Sequence, residues 1–128
     1  MVIDTSAVVA ILLGETEGAA FAARMSFDQT RLISVASFVE ASIVLDRRRR
    51  DVGRRDLDRF MVRAGLEVVP VDRAQGEMAR EAYHQYGRGR HRANLNFGDC
   101  FAYALAKTTG EPLLYKGTDF GLTDVATA

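Results

Sequence analysis

A chain of 128 residues that is 48% hydrophobic and 27% charged has the length and composition of one ordinary globular domain with a real core. A formal net charge of zero argues against a plain electrostatic nucleic-acid binder. The lone cysteine, Cys100, excludes an internal disulfide and a cysteine-rich zinc site; with no membrane-spanning run and no export signal, the expected compartment is the cytoplasm.

Charge is unevenly placed. Two of the 17 basic residues are lysines, Lys107 and Lys116, and the other 15 are arginines. They gather in a run at residues 47–50, followed by Arg54 and Arg55, and in a second group, Arg88, Arg90 and Arg92, around His91. Arginine is the better fork for phosphate, although a GC-rich genome also enriches it.

The predicted elements alternate. Residues 2–4 read as a strand, and an apolar helix runs from Ser6 to Leu13 with Gly14 ending it. A second helix spans 16–25, and residues 31–35 form the second strand. Ser34 or Ser37 opens a third helix whose arginines close its last turn, where cations complement the helix dipole. A fourth helix, from Arg54, is stopped by Gly65; residues 66–72 give the third strand, and Ala74 to Tyr86 the fifth helix. The loop GRGRHRANLN leads into a sixth helix from Phe97 to Thr109, with Gly110 as its cap. PLLYKG is the fourth strand, and the last residues offer a short fifth. Such alternation predicts an α/β fold: a short parallel sheet of four to five strands flanked by helices, with residues 1–128 forming one domain.

Ligands of parallel α/β sheets sit outside the carboxyl ends of the strands. Asp4 and Asp119 fall at such ends, in MVIDTSA and GTDF. Glu40 is the only acid in the apolar stretch ISVASFVEASIVL, where a carboxylate is costly unless compensated. Asp99 lies in the first turn of the sixth helix, in LNFGDCFAYALA. Each has an ordinary explanation: a helix cap for Asp4, a surface position for Glu40, dipole complementarity for Asp99. Four acids bordering one sheet mouth are better explained together. Clustered carboxylates repel and call for a hard divalent cation, Mg²⁺ or Mn²⁺. His84 and His91 lack ligand spacing for zinc. The helix-cap role at the first strand–helix junction then falls to Thr5 or Ser6.

The DTSA opening, Glu40, LNFGDCFAYALAK and LLYKG followed by DF, in this order and spacing, strongly resemble the PIN domains of VapC-type toxins over essentially the whole chain. That resemblance implies a Mg²⁺- or Mn²⁺-dependent endoribonuclease, the toxin of a bacterial type II toxin–antitoxin pair, cleaving RNA by metal-activated water. By position, Asp4, Asp99 and Glu40 resemble the central metal-binding and catalytic acids, and Asp119 the fourth. Ser6 resembles a hydroxyl that hydrogen-bonds near the metal. Thr118 stands where relatives often carry an amide or an acid, and Asp124 resembles a supporting or structural acid.

The loop bearing Arg88, Arg90 and Arg92 precedes Asp99 and is placed to hold RNA phosphates. Phe97, Phe101 and Tyr103 could stack bases, but their helical spacing reads more often as core. The resemblance further implies a cognate antitoxin whose C-terminal segment lies on the apolar first helices, a toxin homodimer, and DNA contacts made only through the antitoxin. The competing expectation is a non-catalytic subunit of a DNA-binding regulatory complex, its acids serving as a docking site for a partner arginine.

Overall fold

The computed structural model describes residues 1–128. Four short strands, β1 (Val2–Ile3), β2 (Leu32–Ser34), β3 (Glu67–Val69) and β4 (Leu113–Leu114), form a fully parallel sheet in the order β3-β2-β1-β4. Six helices connect them: α1 (Thr5–Leu13) and α2 (Gly18–Ser26) between β1 and β2, α3 (Val35–Arg49) and α4 (Asp51–Ala64) between β2 and β3, α5 (Arg73–Tyr86) and α6 (Phe97–Thr109) between β3 and β4. The expected α/β class is therefore observed. The fifth strand shrinks to one bridge, Thr127 beside Leu113, after a single 3-10 turn at Phe120–Leu122.

Strand pleating divides the apolar residues between two cores, because successive side chains point to opposite faces. Val2 and Leu113 join Leu95, Tyr103 and Leu105 on the α5–α6 side. Ile3, Ile33 and Leu114 join Val8, Leu45 and Leu57 on the side of α1–α4. Both faces are covered, as parallel sheets require. No single helix is long and apolar enough to cross a membrane.

Glycines end the helices where the sequence places them: Gly14, Gly65 and Gly110 adopt φ of +66°, +56° and +73°, left-handed values that close α1, α4 and α6. The α3–α4 boundary has no such signal. Arg50 makes the turn itself at φ +50°, so α4 starts at Asp51 rather than near Arg54. Gly53 lets the two helices cross closely, since a Cβ there would lie 2.5 Å from the backbone oxygen of Leu45. We predict that Gly53→Ala lowers stability by about 1–3 kcal/mol, the usual cost of overpacking. The readout is the urea midpoint, and an unchanged midpoint contradicts the crossing described.

The strand order positions the functional site. The chain steps from β1 to β2 to β3, then returns to the other side of β1 to lay down β4. That reversal is a switch point, and the crevice beyond the carboxyl ends of β1 and β4 is where such sheets bind ligands.

Candidate metal centre

Asp4 leaves β1 directly into that crevice. Its backbone is extended (φ −79°, ψ 158°), which lets its side chain turn back over the first turn of α1. Oδ2 accepts from the Ser6 amide at 2.9 Å and from Ser6 Oγ at 2.6 Å. Asp4 is thus the N-cap of α1, and the expected transfer of that role to Thr5 or Ser6 does not occur. One carboxylate oxygen suffices for the cap. Ser6 Oγ also accepts from the Lys116 amide at 2.9 Å, which ties the exit of β4 to Asp4 across the switch point.

Glu40 faces the same crevice from α3. Its Oε2 accepts from Thr5 Oγ1 at 2.7 Å. On its other side the carboxylate lies against Gly98, where a Cβ would fall 2.6 Å from Oε2 and 2.8 Å from Oε1. Asp99 follows in the first turn of α6. It shares a capping box with Asn96: Asp99 Oδ2 accepts from the Asn96 amide at 2.7 Å, while the Asp99 amide donates to Asn96 Oδ1 at 3.0 Å. Asp119 is exposed just before the 3-10 turn that follows β4.

Asp99 feels the charges of the other three acids. Burial pushes the Asp99 carboxyl up to about 6, against the lowering effect of the Asn96 amide, and the charges of Asp4, Glu40 and Asp119 add to the rise. Burial also raises Asp4; Ser6 opposes this and Glu40 reinforces it. The Cys100 thiol is pushed up to about 11 by burial and by the charge of Asp99, so it stays protonated at neutral pH and is no thiolate nucleophile.

Three of these acids share one arrangement. Asp4, Glu40 and Asp99 are each pinned through Oδ2 or Oε2. None of the opposite oxygens is among the buried atoms left without a partner, and Asp4 as a whole is 3% exposed. An all-oxygen donor set suits Mg²⁺ or Mn²⁺ chemically. The side chains do not converge into a closed cage of three or more ligands. That spacing fits mutual repulsion among like charges, and also a cation that keeps much of its water and takes only one or two carboxylates directly.

The raised carboxyls predict how the metal-free protein responds to pH. A native pKa above the unfolded value means that the native state binds more protons between about pH 4 and 6, so stability falls as pH rises through that window. Chelator-treated protein is expected to melt at a higher temperature at pH 5 than at pH 7.5, and Mg²⁺ or Mn²⁺ to narrow the gap. A melting temperature that drops from pH 7.5 to pH 5 contradicts this. Asp28 and Asp124, whose carboxyls are held low, lose their contribution only at more acid pH.

The remaining expected residues fall as follows. Arg88, Arg90 and Arg92 are all exposed on the loop before α6, which Gly87 and Leu95 close by a bridge. Thr118 is exposed beside Asp119. Asp124 accepts from Tyr103 Oη at 2.6 Å and from Lys107 Nζ at 2.9 Å, so it fastens the C-terminal segment to α6. Tyr103 is buried as expected, but Phe97 is 77% exposed and not core. Gly98, which positions Glu40, was not singled out by the sequence, and Thr5 only as a candidate helix cap. Their partner is distant along the chain, and only the fold reveals the contact.

A parallel α/β sheet with carboxylates beside its switch point defines a class of α/β protein that takes its ligands at the carboxyl ends of the strands. Comparison with known proteins narrows it. Residues 1–126 match the family model of the PIN domain. Ribonuclease VapC of Mycolicibacterium smegmatis is 52% identical over 126 residues, covering 98% of this chain and 98% of that protein. Ribonuclease VapC30 of Mycobacterium tuberculosis is 50% identical over 127 residues, covering 99% and 97%. Among solved structures, Mycobacterium tuberculosis VapC20, described as a Sarcin-Ricin loop cleaving toxin, matches with a TM-score of 0.79 at 15% identity over 99% of this chain and 97% of that one. A toxin–antitoxin complex from Klebsiella pneumoniae matches at 0.73, also at 15% identity, over 99% of this chain and 95% of that one. These two likenesses concern the fold. The chain belongs to the PIN-domain family, among the VapC ribonucleases.

Proposed function

We propose that this chain is a single-domain, divalent-metal-dependent endoribonuclease and the toxin of a type II toxin–antitoxin pair. The observation that carries the reading is the set of acids at the switch point, with Asp99 raised first by burial and further by the charges of the other three. The VapC relatives, whose names describe ribonucleases, support the same class.

Asp4, Asp99 and Glu40 would hold Mg²⁺ or Mn²⁺ directly or through water, with Asp119 completing the set. When bound, such a cation lowers the pKa of water and offsets charge on phosphoryl oxygens. The chain's own residues do the rest. Ser6 keeps Asp4 turned into the crevice, Thr5 and Gly98 fix Glu40 from two sides, and Asn96 fixes Asp99. Asp119, exposed at the mouth, would hold or orient the attacking water. Arg88, Arg90 and Arg92 would hold phosphates on either side of the scissile bond.

A protein partner is supported by α3. Val35, Val39 and Ile43 repeat every four residues and are all exposed, an apolar stripe unusual on a free surface. An antitoxin segment and a second copy of the toxin are the partners this reading assigns to the apolar surfaces, with any DNA contact made through the antitoxin. The location assigned is the bacterial cytoplasm.

The test is cleavage of a panel of structured RNAs by the purified chain in Mg²⁺ or Mn²⁺, with and without EDTA. Cleavage that EDTA abolishes supports the proposal. Cleavage undiminished by EDTA refutes the metal dependence. The open spacing of the acids is the one observation that favours a non-catalytic regulatory subunit, and that reading gains if neither cleavage nor metal binding is found.

A further inference from the structure

Two acids in the turn between α1 and α2, Glu15 and Glu17, belong to no part of the site described above, yet both meet a residue that touches it. Glu15 Oε2 accepts from Lys116 Nζ at 2.7 Å, and Glu17 Oε2 lies 3.2 Å from the same ammonium. That Glu17 oxygen is shut off from solvent and has no hydrogen-bond partner, so the nearby ammonium is what offsets its charge. The turn carrying the two acids is firmly fixed. Gly14 bends at φ +66°, and the Glu15 amide donates to the Ala10 carbonyl at 2.9 Å. Gly18 lets α2 close on α1, since a Cβ there would fall 2.5 Å from the Ala10 oxygen.

The segment that Lys116 belongs to has little else to hold it. From Tyr115 to Thr118 the backbone makes a single hydrogen bond, from the Lys116 amide to Ser6 Oγ at 2.9 Å, and Gly117 turns the chain at φ +98° directly afterwards. Lys116 is therefore held at both ends. Its amide meets the serine that donates to Asp4 in the first turn of α1, and its ammonium meets the turn beyond the end of α1. Asp119 follows on the same short segment. We propose that Lys116 is a positioning residue whose ion pairs with Glu15 and Glu17 latch the exit of β4 onto α1, and so hold Asp119 and the Ser6–Asp4 pair at one mouth. The proposal rests on the reading of those acids as a metal site, and adds the residues that keep the two sides of the switch point together. With two carboxylates on its ammonium, Lys116 is not free to hold a phosphate of the substrate. Exposed ion pairs add little to global stability, so the latch acts on local opening rather than on the melt of the whole protein.

The first readout needs neither metal nor RNA. Hydrogen exchange, followed by NMR in EDTA, reports the protection of the Lys116 amide. Lys116→Met is expected to lower that protection about 2- to 5-fold, the scale of one exposed ion pair, with the global melt unchanged. Mn²⁺ affinity, read by calorimetry, is expected to fall about 10-fold, the lower end for groups that orient a metal-binding carboxylate. Glu15→Gln with Glu17→Gln should reproduce both losses. Adding Lys116→Met to that pair should cost nothing more, because the three groups act as one unit. Lys116→Arg, which keeps the charge and offers a fork to two carboxylates, should restore both. Unchanged protection of the Lys116 amide overturns the proposal, as does unchanged affinity in a protein that binds Mn²⁺. So does a loss that Lys116→Arg fails to restore, or one matched by a fall in the global melt. RNA binding in EDTA that Lys116→Met weakens and the paired glutamine variant strengthens also overturns it, since that pattern makes Lys116 a phosphate contact. A wild-type protein that binds no Mn²⁺ sinks the metal reading alone, because the exchange measurement does not depend on it.

Discussion

Replacing Asp99 by asparagine is expected to cut metal-dependent RNA cleavage by at least about 100- to 1,000-fold, the scale on which one preorganised group at a site of developing charge matters. Asparagine keeps an oxygen for the Asn96 amide, so the capping box and the start of α6 survive. What is lost is the charge. Asp99 is held near 6 by burial and by three neighbouring acids, so its anionic form is under strain that a bound cation would relieve. The same substitution should therefore raise the melting temperature of the metal-free protein at pH 7.5 while removing activity. Cleavage retained to within a few-fold, in a variant that folds normally, would place the reaction elsewhere.

The second large effect concerns Thr5 and Gly98. Groups that orient a metal-binding carboxylate typically matter about 10- to 100-fold for affinity or activity. Thr5→Val keeps the branched shape and removes the hydroxyl that donates to Glu40 at 2.7 Å. Gly98→Ala puts a methyl within 2.6 Å of the same carboxylate and drives it aside. Both variants should lose activity by that factor with little change in the thermal melt, and excess Mn²⁺ should restore part of it. A loss that Mn²⁺ does not touch, or no loss, would show that Glu40 needs no fixed position.

Much of this was legible in the sequence because the chain punctuates itself with residues that have one physical use. Gly14, Gly65 and Gly110 mark helix ends by their left-handed backbone. Asp4 and Glu40 were conspicuous because a carboxylate beside a buried strand or in an apolar helix needs a reason. Arg50 shows the opposite case: an arginine carries no signal for a left-handed turn, and the start of α4 was accordingly misplaced. Asp4 was expected to give up its cap and keeps it, because residue type alone does not say that one carboxylate oxygen suffices for the cap. Phe97 was expected in the core, since helical spacing groups it with Phe101 and Tyr103. Spacing does not say where a helix's first turn projects beyond its neighbours. The role of Thr5 was invisible for a different reason: Glu40 lies 35 positions away, and the contact exists only once α1 and α3 pack.

The central claim is that the acids at the switch point bind a divalent cation on which cleavage depends. It is tested most directly by calorimetric titration of Mn²⁺ into chelator-stripped protein, wild type beside Asp99→Asn. Saturable binding by the wild type, lost or much weakened in the variant, is the result predicted. No binding by the wild type, or equal binding by the two proteins, would contradict the account.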